Sequence, residues 1–290
     1  MPITWGSKME TSSFIDWISV THKRGENLLP DFVNRSHSEG KGLNGYTICL
    51  NYTTGLKVLS NPSRPDMGTH IIYSGKTLEN ICKISGCTRD EILQHHIQLG
   101  GQLSRLDVTI DAIDSKLELE DLWQDLEKEK ATTLSSHSRT QSGKGMGYTI
   151  YVGSRKTRRK MLRIYDKALE QKWDFVDHKR IELETRRDVA RNLASIYIES
   201  DCDNSVIHGS IKGVCDFPDN DIFQQIIQSQ SMKIPVLPSG DGDTETWLLK
   251  QVVPSMARVL DENPEFMYKF WNAVQDYRTD KNKTENPDTN

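Results

Sequence analysis

The sequence predicts an α+β protein in which strand-rich segments alternate with helices and neighbouring strands pair antiparallel. Two observations carry that class. Several short runs alternate between apolar and charged positions, the period of a strand with one face in a core. Segments with helix-capping signals lie between those runs. SFIDWISVT (13–21) opens as a strand, and the polar loop NRSHSEGKGLNG leads into a hairpin of YTICLNY and LKVLSN that turns at Thr53–Gly55. GTHIIYSG (68–75) is a further strand, followed by a helix from about Lys76. TRDEILQHHIQL is helical, with Thr88 at the cap and Glu91 three residues later, the capping-box spacing. SRLDVTIDA is a strand, LELEDLWQDLEKEKA (117–131) a helix, and SSHSRTQSGKGMG a Ser/Gly-rich loop. A hairpin through GYTIYVGSRKTRRKMLRIYDKA follows, then the strand KRIELETR, which runs into a helix ending near residue 200. From Phe217–Pro218 the character changes to short helical stretches. The expected organisation is a main domain over 1–215, a small helical C-terminal appendage over 216–278 and a disordered tail over 279–290.

Composition narrows the class of function. The chain has 290 residues, 36% of them hydrophobic, so it can bury one core and a small appendage. No window approaches the apolar length of a membrane span and the N-terminus lacks a signal-peptide layout, which predicts a cytoplasmic protein without a membrane partner. Five widely spaced cysteines form no C-x-x-C pair, which argues against a disulfide framework or a zinc knuckle. The net charge of −4 speaks against a nonspecific DNA coat. Its distribution speaks otherwise: Arg155, Lys156, Arg158, Arg159, Lys160, Arg163 and Lys167 crowd into thirteen residues beside one acid, Asp166. A local cationic patch on an acidic chain suits phosphate contact at one place.

Three strands carry charge of both signs on one face. Arg163, Tyr165 and Lys167 share a side opposite Leu162 and Ile164. Arg180, Glu182, Glu184 and Arg186 oppose Ile181 and Leu183, and Arg105, Asp107, Thr109 and Asp111 oppose Leu106, Val108 and Ile110. Acid and base stacked this densely point to a site. Tyr165 is the candidate nucleophile, because Arg163 and Lys167 beside it would favour the phenolate and hold a scissile phosphate. Tyr151 is the rival, with Arg155 as its same-face cation. Asp107 and Glu182 are candidate ligands for a hard divalent cation, Mg2+ or Mn2+, with Asp111 and Glu184 as further candidates. His70, on a strand, is the histidine placed to join them; a structural role is its alternative. His95 and His96 are adjacent on a helix and point about 100° apart, which suits packing better than ligation. The turn residues Arg155, Lys156, Arg158, Arg159 and Lys160 are candidate DNA-backbone contacts. Gly143–Gly147 precedes a strand rather than a helix, which weighs against a phosphate-cradling loop.

DWISV, SGKTLE, RLDVTIDA, GYTIYVGSRK, RIYDKALE and RIELETRR, in that order over roughly residues 13–200, resemble the replication initiation factor family, the rolling-circle initiators of plasmids and phages. The run is similar also to relaxases of some conjugative elements. The resemblance implies an antiparallel HUH-like sheet without the paired-histidine signature, which is absent here too. It implies a site-specific nicking and closing enzyme with Tyr165 as nucleophile, Asp107 as metal acid and Glu182 as a motif acid. It further implies origin DNA as substrate, unpaired at the nick, with a host helicase and polymerase as partners and a homodimer as one mode of action. Two other classes remain open: a metal-dependent nuclease that uses water, and a noncatalytic origin-binding regulator.

Overall fold

The computed structural model describes residues 9–23, 28–31, 33, 36–133, 135–141, 148–153, 159–173, 176–235 and 253–285. The strands are β1 (Glu10–His22), β2 (His37–Lys41), β3 (Ile48–Tyr52), β4 (Lys57–Ser60), β5 (Thr69–Tyr73), β6 (Gln102–Ile113), β7 (His137–Gln141), β8 (Tyr148–Val152), β9 (Lys160–Asp166) and β10 (His178–Arg186). The helices are α1 (Gly75–Ser85), α2 (Arg89–Gln98), α3 (Leu119–Glu127), α4 (Lys167–Gln171), α5 (Arg187–Glu199), α6 (Asn204–Lys212), α7 (Asp221–Ile226), α8 (Val253–Glu262) and α9 (Phe266–Glu285). The strands form one antiparallel sheet in the order β2-β3-β4-β5-β1-β6-β10-β9-β8-β7. The α+β architecture expected from the sequence is therefore the one observed.

Alternation along the central strands decides what meets what. Ile15 and Ile18 of β1, Leu106, Val108 and Ile110 of β6, Leu162 and Ile164 of β9, and Ile181 and Leu183 of β10 all point into one core. Leu78 and Ile81 of α1, Ile92 and Leu93 of α2, Leu122 of α3, Val189 and Leu193 of α5, Ile207 of α6 and Phe223 of α7 close that core from the helix side. The opposite face of β6, β9 and β10 is left for the charged side chains. A smaller apolar cluster of Cys49, Leu59 and Ile72, with Trp17 and Tyr46 against it, continues that face across β3 to β5.

Local chemistry explains the helix ends. Thr88 and Glu91 form a reciprocal capping box at the start of α2, as their spacing predicts. Ser74 caps α1 by accepting from the Thr77 N–H. Asp166 ends β9 and caps α4, its carboxylate accepting the Leu169 N–H at 2.8 Å. That cap corrects one expectation: Lys167 does not continue the strand face of Tyr165 but is the first residue of α4. The expected boundary at 215/216 also moves. Cys215, Phe217, Phe223, Ile226, Ile227 and Ile234 all belong to the main core, and the chain divides into compact units at Val236 and Leu237. The second unit, taken by itself, contains α8 and α9, and α9 runs on to Glu285, past the expected start of a disordered tail at 279.

Candidate active site

Backbone register brings the predicted residues of three strands onto one surface. Glu182 of β10 lies opposite Thr109 of β6 on one side and Arg163 of β9 on the other. Asp107 pairs with Glu184, Asp111 with Arg180, and Tyr165 with Arg180 from its far side. Asp107 is thus diagonal to Glu182, a spacing of roughly 7–8 Å between backbones.

The acids on this floor are held by arginines. Arg105 Nε donates to both oxygens of Asp107 at 2.9 and 3.1 Å, and Arg105 Nη2 reaches Glu184 at 3.2 Å. Arg180 grips Asp111 bidentately at 2.6 and 2.7 Å, and His178 Nε2 lies 3.2 Å from the same carboxylate. Arg163 pairs with Glu182 Oε1, and the Tyr165 hydroxyl donates to Glu182 Oε2 at 3.3 Å. Lys167 pairs with Glu170, and its Nζ stands 5.7 Å from the Tyr165 ring centroid, so the change from strand to helix keeps this cation beside the phenol.

Electrostatics correct the expectation of a ready-made phenolate. Tyr165 is buried, and burial first, then the Glu182 charge, push its phenol above the ordinary range, with Arg180 and Arg163 opposing. The proton therefore stays on the oxygen and is donated to Glu182. Burial also raises the Asp107 carboxyl; Arg105 opposes the shift while Glu182 and Glu184 add to it. Asp111 falls below the ordinary range, because His178 and Arg180 outweigh the effect of burial.

Two buried polar atoms beside Glu182 find no protein partner, Thr109 Oγ1 and Arg163 Nε. Such atoms in a charged floor suit a site that receives a polar ligand. For a metal the fit is partial. Among the described residues no three His, Cys, Asp or Glu side chains gather so as to hold an ion, and the predicted set of Asp107, Glu182, Asp111 and His70 does not assemble. Asp111 is taken by Arg180 and His178. His70 hydrogen-bonds Thr21 at 2.8 Å and stacks on Tyr46, and Thr21 lies four residues along β1 from Trp17, the register partner of Asp107. That is about 13 Å of strand. Asp107 and Glu182 remain as a two-carboxylate pair with hard oxygens. Mg2+ commonly binds through one or two carboxylates with substrate phosphate and water, so their hard oxygens suit it once Arg105, Arg163 and the Tyr165 hydroxyl, which now hold them, give way.

Above the floor opens a cleft of about 770 Å3, lined by Tyr165, Glu182, Arg163, Arg180, Arg105, Lys167 and Asp111 among others. Tyr151 lies across from Arg163 on β8 and lines a second, smaller pocket of about 240 Å3 that it shares with Tyr165. Asp16 was not among the sequence candidates. It sits at a bulge between Ile15 and Trp17 in β1, which turns it into the cleft 3.5 Å from Arg180 and 3.7 Å from Arg89. A Cβ on Gly75 would lie 2.4 Å from Asp16 Oδ1, so glycine at the first position of α1 lets this carboxylate approach the helix N-terminus. The signal in the sequence was one acid inside an apolar run. Of the cationic turn, Arg155, Lys156 and Arg158 lie outside the described residues, as does the Gly143–Gly147 loop. Arg159 pairs with Asp188 at 2.9 Å and Lys160 is half-buried on β9.

Residues 101–234, which span β6, β9 and β10, match the family model described as replication initiation factor. Over these residues, a little under half of the chain, the protein is similar to that family. The solved structure of the rolling circle replication initiator protein from Geobacillus stearothermophilus superposes with a TM-score of 0.62 at 18% identity, covering 78% of this chain and 100% of that one. The antiparallel fold of such an initiator is thus shared. No curated protein matches the chain. Among the described residues no helix is long and apolar enough to cross a membrane.

Proposed function

We propose that this protein acts as a replication initiator, nicking one DNA strand at an origin by attack of Tyr165 and rejoining it without ATP. The observation that carries the reading is the Tyr165 hydroxyl, aimed at Glu182 Oε2 in a cleft lined by Arg163, Lys167 and Arg180. The phenol oxygen attacks the scissile phosphorus, and its proton passes to Glu182. The bond to the 3′ oxygen breaks, the departing oxygen takes a proton from solvent water, and a 3′-OH and a 5′-phosphotyrosyl link remain. Arg163 and Arg180 grip the non-bridging oxygens, and the buried Arg163 Nε has a donor to spare. When bound at Asp107 and Glu182, Mg2+ or Mn2+ would neutralise charge that develops on the phosphoryl group. One phosphodiester is exchanged for another, so closing is the reverse attack by a 3′-OH. The nick must be in unpaired DNA, because a duplex does not fit around a buried tyrosine. A separate helicase and a polymerase would act on the opened strand, and a homodimer would allow a second strand transfer.

The raised phenol favours one competing reading, in which water attacks and Tyr165 only positions. Supercoiled plasmid carrying the origin, incubated with Mg2+ and then denatured in detergent, separates the two. The proposal expects protein bound covalently to DNA, lost in Tyr165→Phe while DNA binding persists. Cleavage that survives Tyr165→Phe without adduct supports the water reading, and binding without cleavage supports a noncatalytic regulator.

A further inference from the structure

The cleft contains an aromatic surface that the phosphate chemistry does not use. Trp173 is 43% exposed and lines the cleft with Tyr165, Lys167, His178 and Arg180. Its place follows from the way α4 ends. Lys172 adopts the left-handed conformation at φ 60°, and the Trp173 N–H closes back onto the Ala168 carbonyl at 2.8 Å. That turn lays the indole on the imidazole of His178, with ring centroids 5.8 Å apart and planes inclined by 24°. His178 is itself buried, with its Nε2 3.2 Å from the Asp111 carboxylate that Arg180 clamps. One ring of the pair is thus buried in the floor and the other is presented to solvent. Isolated exposed apolar side chains are ordinary. This one lines a cation-lined cleft, two residues past the end of the helix that begins two residues after Tyr165.

A flat ring beside phosphate-neutralising cations is the combination that binds single-stranded nucleic acid without reading its sequence. From this geometry we infer that Trp173, backed by His178, is a stacking platform for an unpaired base flanking the scissile phosphate. The inference rests on the nicking role given above to Tyr165. Lys167 and Arg180 line the same cleft, so a strand laid through it meets cations and ring together.

The test uses two probes on the full chain: oligothymidylate, and a deoxyribose-phosphate strand of equal length without bases. The stacking role expects the intact protein to prefer oligothymidylate, and Trp173→Ala to lose about 5- to 150-fold in affinity for it, the span of one base–aromatic contact. Affinity for the abasic strand stays as it was, and Trp173→Phe keeps most of the preference. Equal loss on both probes, no loss on either, or no binding of either by the intact protein overturns the platform. A protein that shows the base-dependent loss yet forms no adduct through Tyr165 keeps the platform and loses the nicking reading.

Discussion

Glu182 meets both partners the chemistry needs, with one oxygen on Arg163 and the other on the Tyr165 hydroxyl. Glu182→Gln keeps the shape but cannot take the phenol proton. We expect nicking to fall by about 10²- to 10⁴-fold with DNA affinity retained, measured as adduct formed per unit time under saturating oligonucleotide. An unchanged rate would mean that the proton leaves by another route. Asp107 makes a different demand. It is 1% exposed, and Arg105 neutralises it through three hydrogen bonds. Arg105→Met strands that carboxylate, so urea unfolding should show a loss of about 3 kcal/mol. At this scale the sequence was legible wherever alternation held. Register confirms the faces read for Arg105, Asp107, Thr109, Asp111, Arg180, Glu182, Glu184, Arg163 and Tyr165. It was silent on Asp16, because a bulge breaks the period on which such reading depends. His70 shared the face but not the position, since alternation gives the side of a sheet and says nothing of distance along a strand.

Among elements, those held by apolar burial were visible and those held by backbone pairing were not. β2 and β7 occupy the two ends of the sheet, and their sequences, HSEGK and HSRTQ, contain no aliphatic residue. Polar composition suits an edge that must resist pairing with other chains, and it also makes a strand read as a loop. α4 was missed for a related reason. It is only five residues long, and strand alternation through Tyr165 carries on by eye past the Asp166 cap. Capping chemistry, by contrast, was legible at α2. Thr88→Ala removes the hydroxyl that accepts from the Glu91 N–H and should cost about 1 kcal/mol, read as a shift of the urea midpoint with unchanged slope. A neutral result would mean that Glu91 alone holds the first turn.

For the whole main unit, one buried polar network ties three elements together and makes stability depend on pH. His96 of α2 joins His22 of β1 through Nδ1 at 3.0 Å and the Tyr73 hydroxyl of β5 through Nε2 at 2.7 Å. Burial first, then the neighbouring His22 and His95, lowers His96 from 6.5 to about 3. A folded value below the unfolded one means that the stabilisation is fully present above pH 6.5 and is lost as pH falls from there toward about 3. Unfolding free energy measured across that range should decline, and His96→Gln should flatten part of the decline. Parallel curves for the two proteins would show that carboxylates alone set the acid limit.

The domain boundary shows what whole-molecule reading lacks. The step in composition near Phe217 is real, yet Phe217 and Phe223 stack edge to face at 4.8 Å inside the main core, where chain neighbours cannot reveal them. The measurement that bears most directly on the account maps the covalent link itself. Detergent-resistant adduct, digested with protease and nuclease, is read by mass spectrometry. The account predicts a nucleotide phosphate on the peptide that contains Tyr165. The same mass on the Tyr151 peptide, or cleaved DNA with no modified peptide, would contradict it.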